Sequence, residues 1–201
     1  MSTLKNYLNK QFAGFENLIF LDKKEVKKSI FISIIWISIA FFITCLSKFG
    51  SDYLPNVYLR NAVTEGIGPH FWNIIVMGGL FLIGLFFLFP KYYFFQKSAY
   101  KTLNGAYISG LISLGLLIGE LTFSFPSLFP IFETWKISLI LILLIFSLLL
   151  VYGLVYFTFY LSKVMISNSI NEKIYNLDFS LRLIGFILFS IMPVLFFLME
   201  K

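Results

Sequence analysis

Cysteine, histidine and charge are scarce in this 201-residue chain. A single cysteine, Cys45, excludes an intrachain disulfide and a thiolate metal cluster. Its apolar neighbours mark it as a small core residue. A single histidine, His70, does not make a metal site by itself, and no HExxH-type spacing surrounds it. Charged residues are 13% of the chain, against about 25% in soluble domains. No GxSxG surrounds a serine, no Walker lysine motif occurs, and no GxGxxG follows a strand. Hydrolysis within a bilayer generally needs paired acids, paired histidines or a Ser-His arrangement, and none stands out. No catalytic, metal or cofactor residue is therefore assigned, and the chain reads as non-enzymatic. There is also no repeat, no low-complexity tract and no separate soluble domain.

What the chain has instead is apolar length. It is 59% hydrophobic, with 26 Phe and 11 Tyr; a soluble domain averages roughly 45–50% apolar. A bilayer span needs about 20 mostly apolar residues. Five runs meet that length, at about 29–47, 71–89, 105–123, 137–161 and 181–199. The fourth is long enough to tilt. The fifth contains Pro193, which removes a backbone donor and predicts a kink near Phe189. The expected fold is all-α: a polytopic bundle of five transmembrane helices over 29–201, preceded by a cytoplasmic segment over 1–28. The first run starts too late for a cleaved signal peptide and has no cleavage site after it, so it is expected to act as an uncleaved signal anchor.

The basic residues set the direction. Six lysines precede the first run, and the later polar gaps hold two, three, one, three and one Lys or Arg, with Arg182 at the edge of the fifth run counted in the gap before it, which accounts for all sixteen. High and low counts alternate, as expected for five crossings with the basic gaps in the cytoplasm. The N-terminus is then cytoplasmic and the C-terminus exterior. The net charge of +6 falls on alternate loops, which points to anionic lipid headgroups as partners and away from nucleic acid. The Lys/Asn/Ile/Phe-rich composition suggests an AT-rich genome, hence a bacterial cytoplasmic (inner) membrane.

In the N-terminal segment Leu4, Leu8, Phe12, Phe15 and Ile19 recur at helical spacing, with Lys5, Asn9, Lys10, Glu16 and Asn17 largely elsewhere. That predicts an amphipathic interfacial helix. The longest outer gap, 48–70, has room for a short helix around 57–64. The gap at 124–136, SFPSLFPIFETWK, is apolar, broken by Pro126 and Pro130, and suits the outer interface. The gaps at 90–104 and 163–180 are expected as cytoplasmic loops.

Polar groups at membrane depth are costly and are the first functional candidates. Glu120 follows Gly119 near the outer end of the third run; it either faces the bundle, where it would bind a cation or a proton, or is a solvated helix end. His70 lies at the outer mouth of the second run with Asn73 one turn on, and Asp52, Glu65, Glu120 and Glu133 are expected on the same side. Gly110, Gly115 and Gly119 make the third run the expected packing helix, with the second against it. The GxxxG of Gly115 and Gly119 is also a candidate homodimer seam. Tyr152, Tyr156 and Tyr160, four apart, read as an interfacial belt or as packing between helices.

The lysine-rich start, the glycine-rich third run GAYISGLISLGLLIGE and the short tail FLMEK together resemble the Yip-domain family of small five-span membrane proteins. The resemblance implies a cytoplasmic N-terminus, an exterior C-terminus and a role in membrane organisation. Eukaryotic members act with Rab GTPases; the DLYGP-like segment those members carry is missing here, and no site residue is carried over. The expected function is that of a non-enzymatic membrane protein acting through a protein partner or as a homo-oligomer: a scaffold, assembly or accessory subunit. The alternatives are a subunit of a small-solute or ion transporter with Glu120 in the pathway, and an intramembrane enzyme using His70 with a carboxylate.

Overall fold

The computed structural model describes residues 2–13, 15, 21–49 and 67–199. The expected helix at 57–64, the carboxylates Asp52 and Glu65, and the end of the tail lie outside them. Among the described residues there are seven α-helices and one short 3-10 turn, and no strand. They are α1 (Ser2–Gln11), α2 (Lys23–Phe49), α3 (Ile67–Leu88), α4 (Tyr93–Ser124), α5 (Thr134–Ile166), α6 (Asn168–Tyr175) and α7 (Phe179–Met199); the 3-10 turn, Phe125–Leu128, follows α4. Five of them, α2 to α5 and α7, are long and apolar enough to cross a membrane.

Three boundaries differ from the expectation. α4 begins at Tyr93, so the gap expected at 90–104 is a connection of a few residues followed by helix. Gln96, Lys97 and Lys101 lower the hydropathy there without disfavouring helix. Within 163–180, α5 continues to Ile166 and α6 follows at once. Ile170, Ile174 and Leu177 are buried at helical spacing while Glu172 and Tyr175 are exposed, and each buried isoleucine contributes about 1.5–3 kcal/mol relative to water exposure. The third difference is at the N-terminus. α1 stops at Gln11 and Phe12 lies in a bend, so the periodic stretch is not one helix through Phe15. The bend lets Phe15 pack on a buried core, where its ring also lies under the Lys173 ammonium at 5.7 Å. Ile19 lies outside the described residues. Pro193 sits inside α7, which continues to Met199.

The chain forms two compact units. The first comprises 1–26, 74–105 and 158–201; the second comprises 27–73 and 106–157. The core of the first is Ile83 and Phe86 of α3, Ala99 and Leu103 of α4, Met165 of α5, and Ile170 and Ile174 of α6. α7 joins it through glycines: a Cβ on Gly84 would lie 2.7 Å from Ser190 Oγ, and one on Gly185 would run into the Phe87 ring. Phe87 also stacks on Phe189, with ring centroids 5.7 Å apart. Gln96, 2% exposed, donates from Nε2 to the carbonyls of Met165 (2.7 Å) and Ser167 (3.3 Å). Met165 lies in the last turn of α5, where carbonyls lack intrahelical donors, and the Ser167 carbonyl also accepts from the Ile170 N–H at 3.2 Å, so a buried side chain holds the junction of α5 and α6.

The second unit is built on small residues. Ser29, Ser33, Ala40, Thr44 and Ser47 are the buried positions of α2. Their spacings of 4, 7, 4 and 3 make one stripe, and small residues let helix backbones approach closely.

Candidate functional site

The polar side chains of the second unit gather in two places. The first joins α2, α4 and α5. Tyr107, buried in α4, donates its hydroxyl to the Ser29 carbonyl at 2.9 Å and lies 2.8 Å from Ser33 Oγ. Ser33 Oγ also reaches the Ser29 carbonyl at 3.0 Å. From α5, the Tyr152 hydroxyl donates to Ser33 Oγ at 3.3 Å, and Ser29 Oγ donates to the Tyr156 hydroxyl at 3.4 Å. Five side chains on three helices thus share one partly buried network. Tyr152 and Tyr156 pack inward between helices, the second of the two roles expected for the tyrosine series. Chemically this is hydroxyl and carbonyl only. It holds helices in register and offers no nucleophile–base pair.

The second place holds Glu120. Its carboxylate forms an ion pair with the Lys48 ammonium at 2.8 Å, with side-chain exposures of 18% and 36%. Lys48 is in the last turn of α2, and Glu120 lies in the final stretch of α4. The nearby glycines fix the approach. A Cβ on Gly119 would stand 2.6 Å from Thr44 Cβ, and one on Gly115 would stand 2.6 Å from both Ala40 Cβ and the Ile37 carbonyl. Only a bare backbone fits, and the ion pair closes the same seam one turn on. The Gly115–Gly119 face therefore meets α2, where α3 or a second copy was expected. α3 meets α4 elsewhere: in the second unit Trp72 Nε1 donates to the Ala106 carbonyl at 2.9 Å, and Gly110 lies beside Trp72 and Val155.

His70 is exposed in the first turn of α3, and Asn73 is half-buried one turn on. Glu133 stands just before α5, accepts from the Trp135 indole at 2.7 Å and pairs with Lys136 at 3.4 Å. That is local anchoring at a helix start, where negative charge is favoured. Among the described residues, no three of His, Cys, Asp and Glu are grouped as metal ligands would be.

Sequence reading missed the α2 stripe and the Lys48 partner. The stripe had a signal, small residues at 29, 33, 40, 44 and 47 in an otherwise bulky helix. The partner had none, because it depends on how two helices are rotated against each other. No family model, curated protein or solved structure matches the chain.

Proposed function

We propose that this chain is a five-span integral membrane protein without catalytic activity of its own, acting through partners as a scaffold, assembly or accessory subunit in the manner of a Yip-like membrane organiser. The membrane part of the reading is supported by outward-facing apolar surface. Only 6% of the most apolar window of α5 is buried, and Ile142, Phe146, Leu149 and Leu154 are among its exposed side chains. Such a surface is unfavourable in water and suited to lipid. Eleven of the sixteen basic residues and six of the ten acids belong to the first unit, and α1, α6 and the α3–α4 connection with them. On the charge rule that unit carries the cytoplasmic segments.

The observation that carries the partner reading is that Glu120 and the serine–tyrosine group of the second unit are engaged with other side chains of this chain. Lys48 neutralises Glu120, and the serine–tyrosine network joins hydroxyl to hydroxyl and carbonyl. A cation pathway through Glu120 would have to displace an ammonium already at 2.8 Å. What such a molecule offers outward is surface. Affinity purification in mild detergent tests this. The expected result is a second protein in stoichiometric amount, or a homo-oligomer of defined size. A lone monomer retaining no partner would overturn the reading.

A further inference from the structure

We propose that the exposed face at the start of α4 is a seat for anionic phospholipid, with Lys97 and Lys101 holding the lipid phosphate. The proposal rests on the membrane reading above and names the ligand class and the residues. Three observations on the α3–α4 hairpin carry it.

The first is a stripe. Tyr93, Lys97, Lys101 and Gly105 are four apart and all exposed, while Gln96, Ala99 and Leu103 on the opposite side are buried. Both ammoniums therefore leave the helix on one side, about 6 Å apart along the axis. No ion pair or hydrogen bond engages either lysine among the described residues. The second is the absence of any acid in the surrounding chain. From Phe71 to Gly119 the sequence has no Asp or Glu, and Lys91, Lys97 and Lys101 are its charges. Within the hairpin itself an anion meets one sign only. The third is the apolar neighbour. Tyr93, one turn before Lys97 on the same stripe, is exposed, and tyrosine settles at the headgroup level of a bilayer. The connection adds exposed Tyr92 and Phe94. The face thus sets two cations beside an apolar surface, and the lysine stems can run along that surface with their heads at the water. The complement is a molecule with an acyl chain and a negatively charged headgroup.

Spin-labelled lipids in reconstituted vesicles test this directly. The full chain is placed in phosphatidylcholine vesicles, and the motionally restricted fractions of labelled phosphatidylglycerol and labelled phosphatidylcholine are compared. The wild type is expected to favour phosphatidylglycerol, and added salt to reduce the preference. Lys97→Gln with Lys101→Gln is expected to lower it by up to about fivefold per lysine, with the restricted phosphatidylcholine and the circular dichroism unchanged. Lys23→Gln with Lys24→Gln, a pair of the same charge on exposed sites at the start of α2, is expected to retain the preference. Equal loss in both pairs would mean a general charge effect and would overturn the proposal, as would a preference that survives the first pair. Restricted phosphatidylcholine without any preference overturns this seat and leaves the membrane reading standing. The absence of restricted lipid of either kind overturns the membrane reading itself.

Discussion

Tyr107 places one hydroxyl between two serines of a neighbouring helix, at 2.8 and 2.9 Å from their oxygen atoms. Within a buried site that geometry makes each group depend on the others. Tyr107→Phe keeps the ring and removes both contacts. It is expected to cost about 1–2 kcal/mol, measured as a shift in the unfolding equilibrium in micelles. A double-mutant cycle with Ser33→Ala should show coupling of at least about 0.5 kcal/mol. Additive effects, or an unchanged Tyr107→Phe, would reduce the network to coincidental proximity. The single residues also mark the limit of sequence reading. Tyr152 and Tyr156 were visible as a stripe, but their partners Ser29 and Ser33 lie more than a hundred positions away. Glu120 was visible as a costly carboxylate, whereas its ammonium partner was not.

At the scale of helices, hydropathy found all five long ones and misjudged their ends. It records which residues suit lipid. Helix continues wherever backbone hydrogen bonds and propensity allow, so Lys97 and Lys101 ended the apolar run at 105 without ending α4, which starts at Tyr93. The glycines separate in the same way. Gly115 faces the Ile37 carbonyl and Ala40, whereas Gly153 has open space around its Cα. Gly115→Ala should therefore cost about 1–3 kcal/mol through forced separation of α2 and α4. Gly153→Ala should gain about 0.5–1 kcal/mol by removing backbone freedom from a helix interior. Thermal unfolding of the two variants in the same detergent separates them, and equal shifts would show that the α2–α4 seam tolerates a methyl group.

For the molecule as a whole, the N-terminal residues are tied to the later part of the chain inside the first unit. The Tyr7 hydroxyl donates to the Asp178 carboxylate, and the Asp178 N–H donates to Gln11 Oε1 at 3.4 Å. The Glu25 carboxylate accepts from Lys163 at 2.9 Å. The hydrogen bond to Asp178 raises the Tyr7 pKa above its ordinary 10.0, with desolvation and the negative charge of Asp178 adding to the shift. The folded state thus favours the protonated phenol. Its contribution is complete below pH 10.0 and is lost as the pH rises through the raised value. An absorbance titration should show a late-ionising phenol that disappears in Tyr7→Phe, and above that point α1 should become more accessible to protease. A Tyr7 that ionises with the exposed tyrosines would remove this tie.

The division of the chain between the units also imposes an order on biosynthesis. The second unit is complete in sequence once Phe157 has been made, so the α2–α4 seam and the serine–tyrosine network can form while the remainder is still on the ribosome. The first unit draws on 1–26 and on 158–201. Gln96 therefore waits some seventy residues for the Met165 and Ser167 carbonyls, and Tyr7 waits for Asp178. A ribosome stalled once Phe157 has left its exit tunnel should thus carry a nascent chain whose second unit has settled while its earliest residues remain uncommitted. In that interval a targeting factor or chaperone would still find the N-terminal segment.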